Sequence, residues 1–210
     1  MRIDIVSDTV CPWCYIGKKR LERALAQRPD LEVEIGWRPF QLNPDMPAEG
    51  ADRAQYLAAK FGNSDRLKEM SQHLANMAAG EGIAVDMDRQ KRIPNTLASH
   101  SVMRWAAEAG VQHRLAEILF RRYFTDGQDI GDHAILADAA AEAGMDRAQV
   151  LADLASGKDR DTVAAEDQLA RDMGISGVPC FIIDRKYAVS GAQDPAMFLQ
   201  VFDKVLAEET

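Results

Sequence analysis

Between Leu31 and Arg38 the chain alternates strictly: Leu31, Val33, Ile35 and Trp37 are apolar, while Glu32, Glu34, Gly36 and Arg38 are not. A period of two puts one set on a buried face and predicts a strand. Upstream, Arg2–Ser7 carries Ile3, Ile5 and Val6 and predicts a short buried strand. Between the two, Ile16, Leu21, Ala24 and Leu25 share one helical face, which predicts a helix from Pro12 to about Arg28, stopped by Pro29 and Asp30. The chain therefore opens as a βαβ unit.

From about Pro44 to Met173 the pattern is helical, rich in Ala, Leu and Met and punctuated by glycine. Helices are predicted near Ala51–Phe61, Asp65–Ala79, Thr96–Ala109, His113–Phe124, Asp132–Ala143, Arg147–Ala155 and Arg160–Met173. Strand character returns in "CFIID", residues 180–184, and in "KYAVSG" after a turn. Asp194 and Pro195 then open a last helix running to about Ala207. The outline is βαβ, a helical insertion, then ββα, which divides the chain into 1–43 with 174–210 and an inserted 44–173. Trp37 and Trp105 fall on apolar faces and read as core.

Composition excludes some functions. A net charge of −8 argues against general affinity for nucleic acid or anionic membranes, and no run of about 18 apolar residues suggests a membrane span. The first residues, "MRIDIVSDTVCPWC", show no signal-peptide pattern, so a cytoplasmic, reducing location is expected. The acidic surface, "AEET" at the C-terminus included, reads as a solvated face, and so does the locally basic run through Arg89, Lys91 and Arg92.

The candidate chemistry is in "DTVCPWCYIG", residues 8–17, where Cys11 and Cys14 flank Pro12 and Trp13. Structural zinc commonly takes two such pairs, and here one pair, a lone Cys180 and four scattered histidines offer no second half. A stable structural disulfide is disfavoured in a reducing compartment. The redox reading has positive support. A strand delivers Cys11 to a helix N-terminus, where free N–H groups and the macrodipole favour a thiolate, and Cys14 lies one turn further in, placed to attack a mixed disulfide on Cys11. Cys-x-x-Cys beside a βαβ pattern is the setting in which the motif means redox chemistry.

These residues carry a resemblance. "CPWC" after the first strand and "GVP" at 177–179 before a later one resemble the thioredoxin-fold oxidoreductases, and the helical insertion resembles that of the DsbA-like superfamily. "SDTVCPWCYIGKKRLE", "WRPFQLNPDMP", "IPNTLASH" and "VPCFIID...VSGAQ" are similar to the FrnE-like branch, which is related to the 2-hydroxychromene-2-carboxylate isomerases and kappa-class glutathione transferases. The resemblance implies an α/β thioredoxin fold with a large all-helical insertion. It further implies that Cys11 is the exposed nucleophile and Cys14 the resolving thiol. A cis bond before Pro179 would set the backbone of Val178 opposite Cys11, facing a peptide or glutathione.

Other residues stay open between two readings. Pro12 and Trp13 tune the thiolate or dock a partner, or Trp13 is simply packed. Asn95 and Thr96 cap the following helix or stand at the site's rim. His100, one turn on, faces the cleft or is ordinary core or surface. Cys180 is a buried small hydrophobe or a third thiol facing the cleft. The preferred function is thiol–disulfide oxidoreductase, acting on protein or small-molecule thiols and disulfides. It requires no metal or organic cofactor, with glutathione as a candidate co-substrate. The alternatives are a glutathione-dependent isomerase or transferase on a small aromatic or polyketide-like substrate, and a redox-regulated binding module. Oligomeric state is not legible.

Overall fold

A computed structural model describes residues 1–62 and 65–208, so the end of the C-terminal "AEET" lies outside the described residues. Four strands form the main sheet: β1 (Arg2–Ser7), β2 (Glu34–Pro39), and, near the end of the chain, Cys180–Ile183 and Tyr187–Ser190. A two-residue ribbon pairs β3 (Ala51–Asp52) with β4 (Arg92–Ile93), which makes the two late strands β5 and β6. Sheet order is β2-β1-β5-β6, with β1 parallel to β2 and antiparallel to β5, and β5 antiparallel to β6. Helix α1 (Pro12–Ala26) makes the crossover from β1 to β2.

The helices between the two halves of the sheet are α2 (Arg53–Phe61), α3 (Asp65–Gly80), α4 (Leu97–Glu108), α5 (Gln112–Phe124), α6 (His133–Ala143), α7 (Arg147–Ser156) and α8 (Arg160–Asp172). Helix α9 (Pro195–Glu208) closes the chain, its first turn capped by the Asp194 carboxylate accepting from the Ala196 N–H at 3.0 Å. This is a thioredoxin fold with a large helical insertion, which is not all-helical as expected, because the β3–β4 ribbon lies within it. One apolar core runs from Ile3, Ile5 and Phe181 of the sheet through Leu21 of α1 to Leu115, Phe120 and Phe124 of α5 and Leu136 of α6.

Strand parity sorts the two faces of the sheet. Ile5 is in register with Phe181, whose ring meets Phe198 of α9 edge-on at 4.9 Å. Their neighbours Val6 and Cys180, also in register, form a second cluster with Phe40 and Ala170 of α8.

Close approach of α1 to β5 depends on Gly17. A Cβ there would stand 3.0 Å from the Phe181 ring and 3.1 Å from Cγ of Pro179. Gly17→Val is therefore expected to destabilise the fold by about 1–3 kcal/mol through overpacking. Denaturant unfolding measures this, and a midpoint equal to wild type refutes it.

Three boundaries differ from expectation by two residues or more. Residues 51–52 are strand, and Asp52 caps α2 by accepting from the Gln55 N–H at 2.9 Å. Strand β2 begins at Glu34, which is in register with Arg2, the first residue of β1. Helix α1 ends at Ala26, since Arg28 precedes Pro29 and is steered away from helical geometry.

Candidate active site at the start of helix α1

Cys11 is the N-cap of α1, with extended backbone (φ −90°, ψ 113°), and Pro12 occupies the first helical turn where its missing N–H costs nothing. The Cys14 N–H donates to the Cys11 carbonyl at 3.0 Å, bringing both side chains to one end of the helix. No disulfide joins any of the three cysteines. The bond between Val178 and Pro179 is cis, and the Cys11 Sγ donates to the Val178 carbonyl at 3.6 Å. The loop before β5 thus meets the Cys11–Cys14 turn across 167 positions of sequence.

The resemblance implied an exposed Cys11, and the structure buries it. It is 3% exposed, because its thiol turns toward the Val178 carbonyl and packs into the main core. Cys14 is fully buried. Burial pushes its thiol well above the ordinary range and the Cys11 side chain pushes the same way, while the Ser7 hydroxyl and the Asp8 backbone pull against both. Trp13 is the exposed member of the turn, its ring 6.3 Å from that of His73 on α3, so α3 abuts this turn.

The remaining sequence candidates separate. Asn95 accepts from the Leu97 N–H at 3.0 Å and donates to the Met46 carbonyl at 2.7 Å, so its side chain serves the start of α4. Thr96 is buried at the N-cap position without a side-chain cap bond; its carbonyl accepts from the Ser99 hydroxyl at 2.8 Å. Cys180 stands among Val6, Phe40 and Ala170 on the α8 face, where burial pushes its thiol up, so it is a core residue and not part of the rim. Trp37 and Trp105 are core, as expected. In the basic run, Arg89 pairs with Asp86 at 3.1 Å and the Lys91 ammonium donates to the Asp88 carbonyl.

Sequence reading missed a buried polar layer behind the thiols. Thr9 shares a 2.7 Å hydrogen bond with Ser99 of α4. Asp8 is 1% exposed; its Oδ2 accepts from the Leu42 N–H at 2.7 Å, and its Oδ1 lies 3.4 Å from Nε2 of His100. The signal available was "SDT": three polar residues in a row where a buried strand ends.

A second polar group anchors α1 to α5. Lys18, one turn beyond Cys14 and 2% exposed, places Nζ 2.5 Å from Glu22 and 2.6 Å from Glu117. Lys19 and the Tyr15 hydroxyl also meet Glu117, and His113 meets Glu22 at 3.0 Å. Burial alone would raise Glu22, but hydrogen bonds from His113 and Lys18 and the charges of Lys18 and Lys19 outweigh it and hold the carboxyl at about 2.

A thioredoxin fold with two adjacent thiols at a helix start and a cis-proline loop against them defines a class of dithiol proteins. Comparison narrows it: the chain matches the DSBA-like thioredoxin domain over residues 2–203 and belongs to that family. It is 27% identical over 210 residues to the uncharacterized protein YwbO of Bacillus subtilis (strain 168), covering 97% of that protein. Among solved structures it is similar to a probable DsbA oxidoreductase from Streptomyces coelicolor, with TM-score 0.90 and 35% identity over all of this chain and 92% of that one. It shares its fold with a 2-hydroxychromene-2-carboxylate isomerase, at TM-score 0.75 and 17% identity over all of this chain and 98% of the other. No helix among the described residues is long and apolar enough to cross a membrane.

Proposed function

We propose that this protein is a thiol–disulfide oxidoreductase in which Cys11 is the nucleophile and Cys14 the resolving thiol. The observation that carries the reading is the pair itself: two unbridged thiols in one helical turn, one capping the helix and touching the Val178 carbonyl, the other wholly buried behind it. The Cys11 thiolate attacks one sulfur of a substrate disulfide and bonds to it; the substrate S–S bond breaks, and the other sulfur leaves as a thiolate and takes up a proton. Cys14 then attacks the Cys11 sulfur, forming the internal disulfide and releasing the second substrate thiol. A reductant such as glutathione or a partner dithiol restores the pair, and a reducing compartment such as the cytoplasm supplies it.

Val178 and Pro179 present backbone to the incoming chain, and the exposed Trp13, with α3 beside it, forms the apolar margin that a substrate meets first. Pro12 sets the turn that holds the two thiols together. No step needs a metal or organic cofactor.

The test is reduction of a model disulfide by the wild-type protein, with glutathione titrated alongside. Turnover requiring both Cys11 and Cys14 is the expected result. Activity that survives Cys14→Ser yet depends on glutathione overturns the dithiol mechanism in favour of a glutathione-dependent isomerase or transferase. No turnover in either assay leaves a redox-regulated binding module.

A further inference from the structure

Resolution raises a difficulty that the dithiol alone does not answer. Cys14 must lose a proton before it attacks, yet it is fully buried and its environment resists the thiolate. The proton needs an acceptor inside the protein and a way out.

A cavity of about 200 Å³ lies between β2, α4 and α5, bounded by Ser7, Thr9, Trp37, His100, Arg104 and Phe120 among others. Ser7, whose hydroxyl interacts with the Cys14 thiol, is on one wall. His100, 5% exposed, is on another, and its Nε2 has no hydrogen-bond partner. Asp8 Oδ1, 3.4 Å from that nitrogen, makes no hydrogen bond of its own, and Nε of Arg104, one turn along α4 on the cavity wall, has none either. Buried polar atoms are rarely left orphaned, so His100 Nε2 and Arg104 Nε, both on residues that line this cavity, ask for a polar occupant. The volume takes several water molecules at about 30 Å³ each, and the lining supplies the polar partners that hold them.

We propose that His100, oriented by Asp8, is the proton relay of the resolving thiol, receiving the Cys14 proton by way of the Ser7 hydroxyl and cavity water and returning it to solvent through the same cavity. The inference rests on the dithiol reading. Written out, the Cys14 S–H bond breaks and its proton passes to His100; the Cys14 sulfur bonds to the Cys11 sulfur; the bond from Cys11 to the substrate sulfur breaks; and that sulfur leaves with the electron pair and is protonated. The dithiol is oxidised and the substrate disulfide reduced, with His100 reset by loss of the proton to water. His100 touches neither sulfur and acts as a positioning and relay residue.

The charged groups around it come from every neighbouring element. Asp8 lies in the turn before α1, Arg38 on β2 is held by Asp4 at 3.0 Å, and Arg104 is paired with Glu166 of α8 at 2.5 Å. Glu108 of α4 also lines the cavity, while the α5 wall, Gln112, Ala116 and Phe120, carries no titratable group. Asp8 is thus the carboxylate placed against Nε2 among the described residues, which suits it to orient the ring.

The experiment mixes reduced protein with dithiobis(nitrobenzoate), a disulfide that releases a coloured thiolate at each step. The first phase reports attack by Cys11 and the second reports resolution by Cys14. In His100→Gln and His100→Ala the first phase is expected at the wild-type rate, while the second slows by roughly tenfold or more and loses the wild-type pH dependence. Added imidazole, entering through the cavity, restores the second phase in His100→Ala and not in His100→Gln, a rescue that a purely structural histidine would not show. If His100→Ala fails to fold, the pH profile of His100→Gln decides alone. A second phase of wild-type rate and pH dependence in the folded variants overturns the relay and leaves the dithiol reading standing. A wild-type protein with no second phase refutes the dithiol reading, and the relay with it.

Discussion

Replacing Cys14 by Ser is expected to stop turnover while leaving the first chemical step intact, so that the protein accumulates as a mixed disulfide on Cys11. The cause is local geometry. Cys14 follows Cys11 by three positions, its N–H is bonded to the Cys11 carbonyl at 3.0 Å, and the two side chains interact. An attacker held this way has an effective concentration far above any free thiol, and millimolar glutathione replacing it lowers the resolution rate by roughly 10³-fold or more. Mass spectrometry after exposure to a model disulfide should find one adduct per chain, on Cys11, and none on Cys180, which is buried on the opposite face of the sheet. Cys11→Ser should form no adduct and show no turnover. Retention of wild-type turnover by Cys14→Ser would remove the dithiol mechanism, and an adduct on Cys180 would contradict its placement in the core.

How much of this could be read from the chain depends on how local each feature is. The paired thiols, the strand before them and the helix after them sit within two dozen residues, and period and spacing were enough to find them. Cys180 was half legible: a strand's alternation says that Cys180 and Phe181 face opposite ways, but only the register of Val6 with Cys180 assigns the cysteine to the α8 side. The ribbon of Ala51–Asp52 with Arg92–Ile93 left no signal, because two residues are too few to show a period. Burial of Cys11 was hidden too, since it follows from the Val178 loop folding back from a distant part of the chain. The pairing of Asp8 with His100 across 92 positions is of the same kind, set by where α4 packs and not by any motif (100 − 8). Resemblance to a family supplied the cis bond at Pro179, which no periodicity encodes.

The largest stability effect is expected at Lys18. Its ammonium is 2% exposed and closes two contacts, to Glu22 at 2.5 Å and to Glu117 at 2.6 Å, which hold α1 against α5 behind the redox turn. Removing one partner of a buried pair leaves the others uncompensated, at a cost of about 3–5 kcal/mol where all are dry. Here the two carboxylates are about one-third exposed and partly rehydrate, so Lys18→Met, which keeps the apolar stem, is expected to lose about 2–3 kcal/mol at neutral pH. The pH dependence carries the proof of cause. Glu22 is held at about 2 in the folded protein against an ordinary value of 4.5, and Glu117 is also lowered. A depressed carboxyl stabilises the fold above its unfolded value, and that contribution drains away as pH falls from about 4.5 toward 2. Wild type should therefore lose stability across that interval more steeply than Lys18→Met, and the gap between them should narrow as the carboxylates are protonated. Urea unfolding followed from pH 7 down to pH 2 tests this. A gap of constant size at every pH would mean that Lys18 acts through packing alone, and no gap at neutral pH would mean that the buried ammonium does not hold the two helices together.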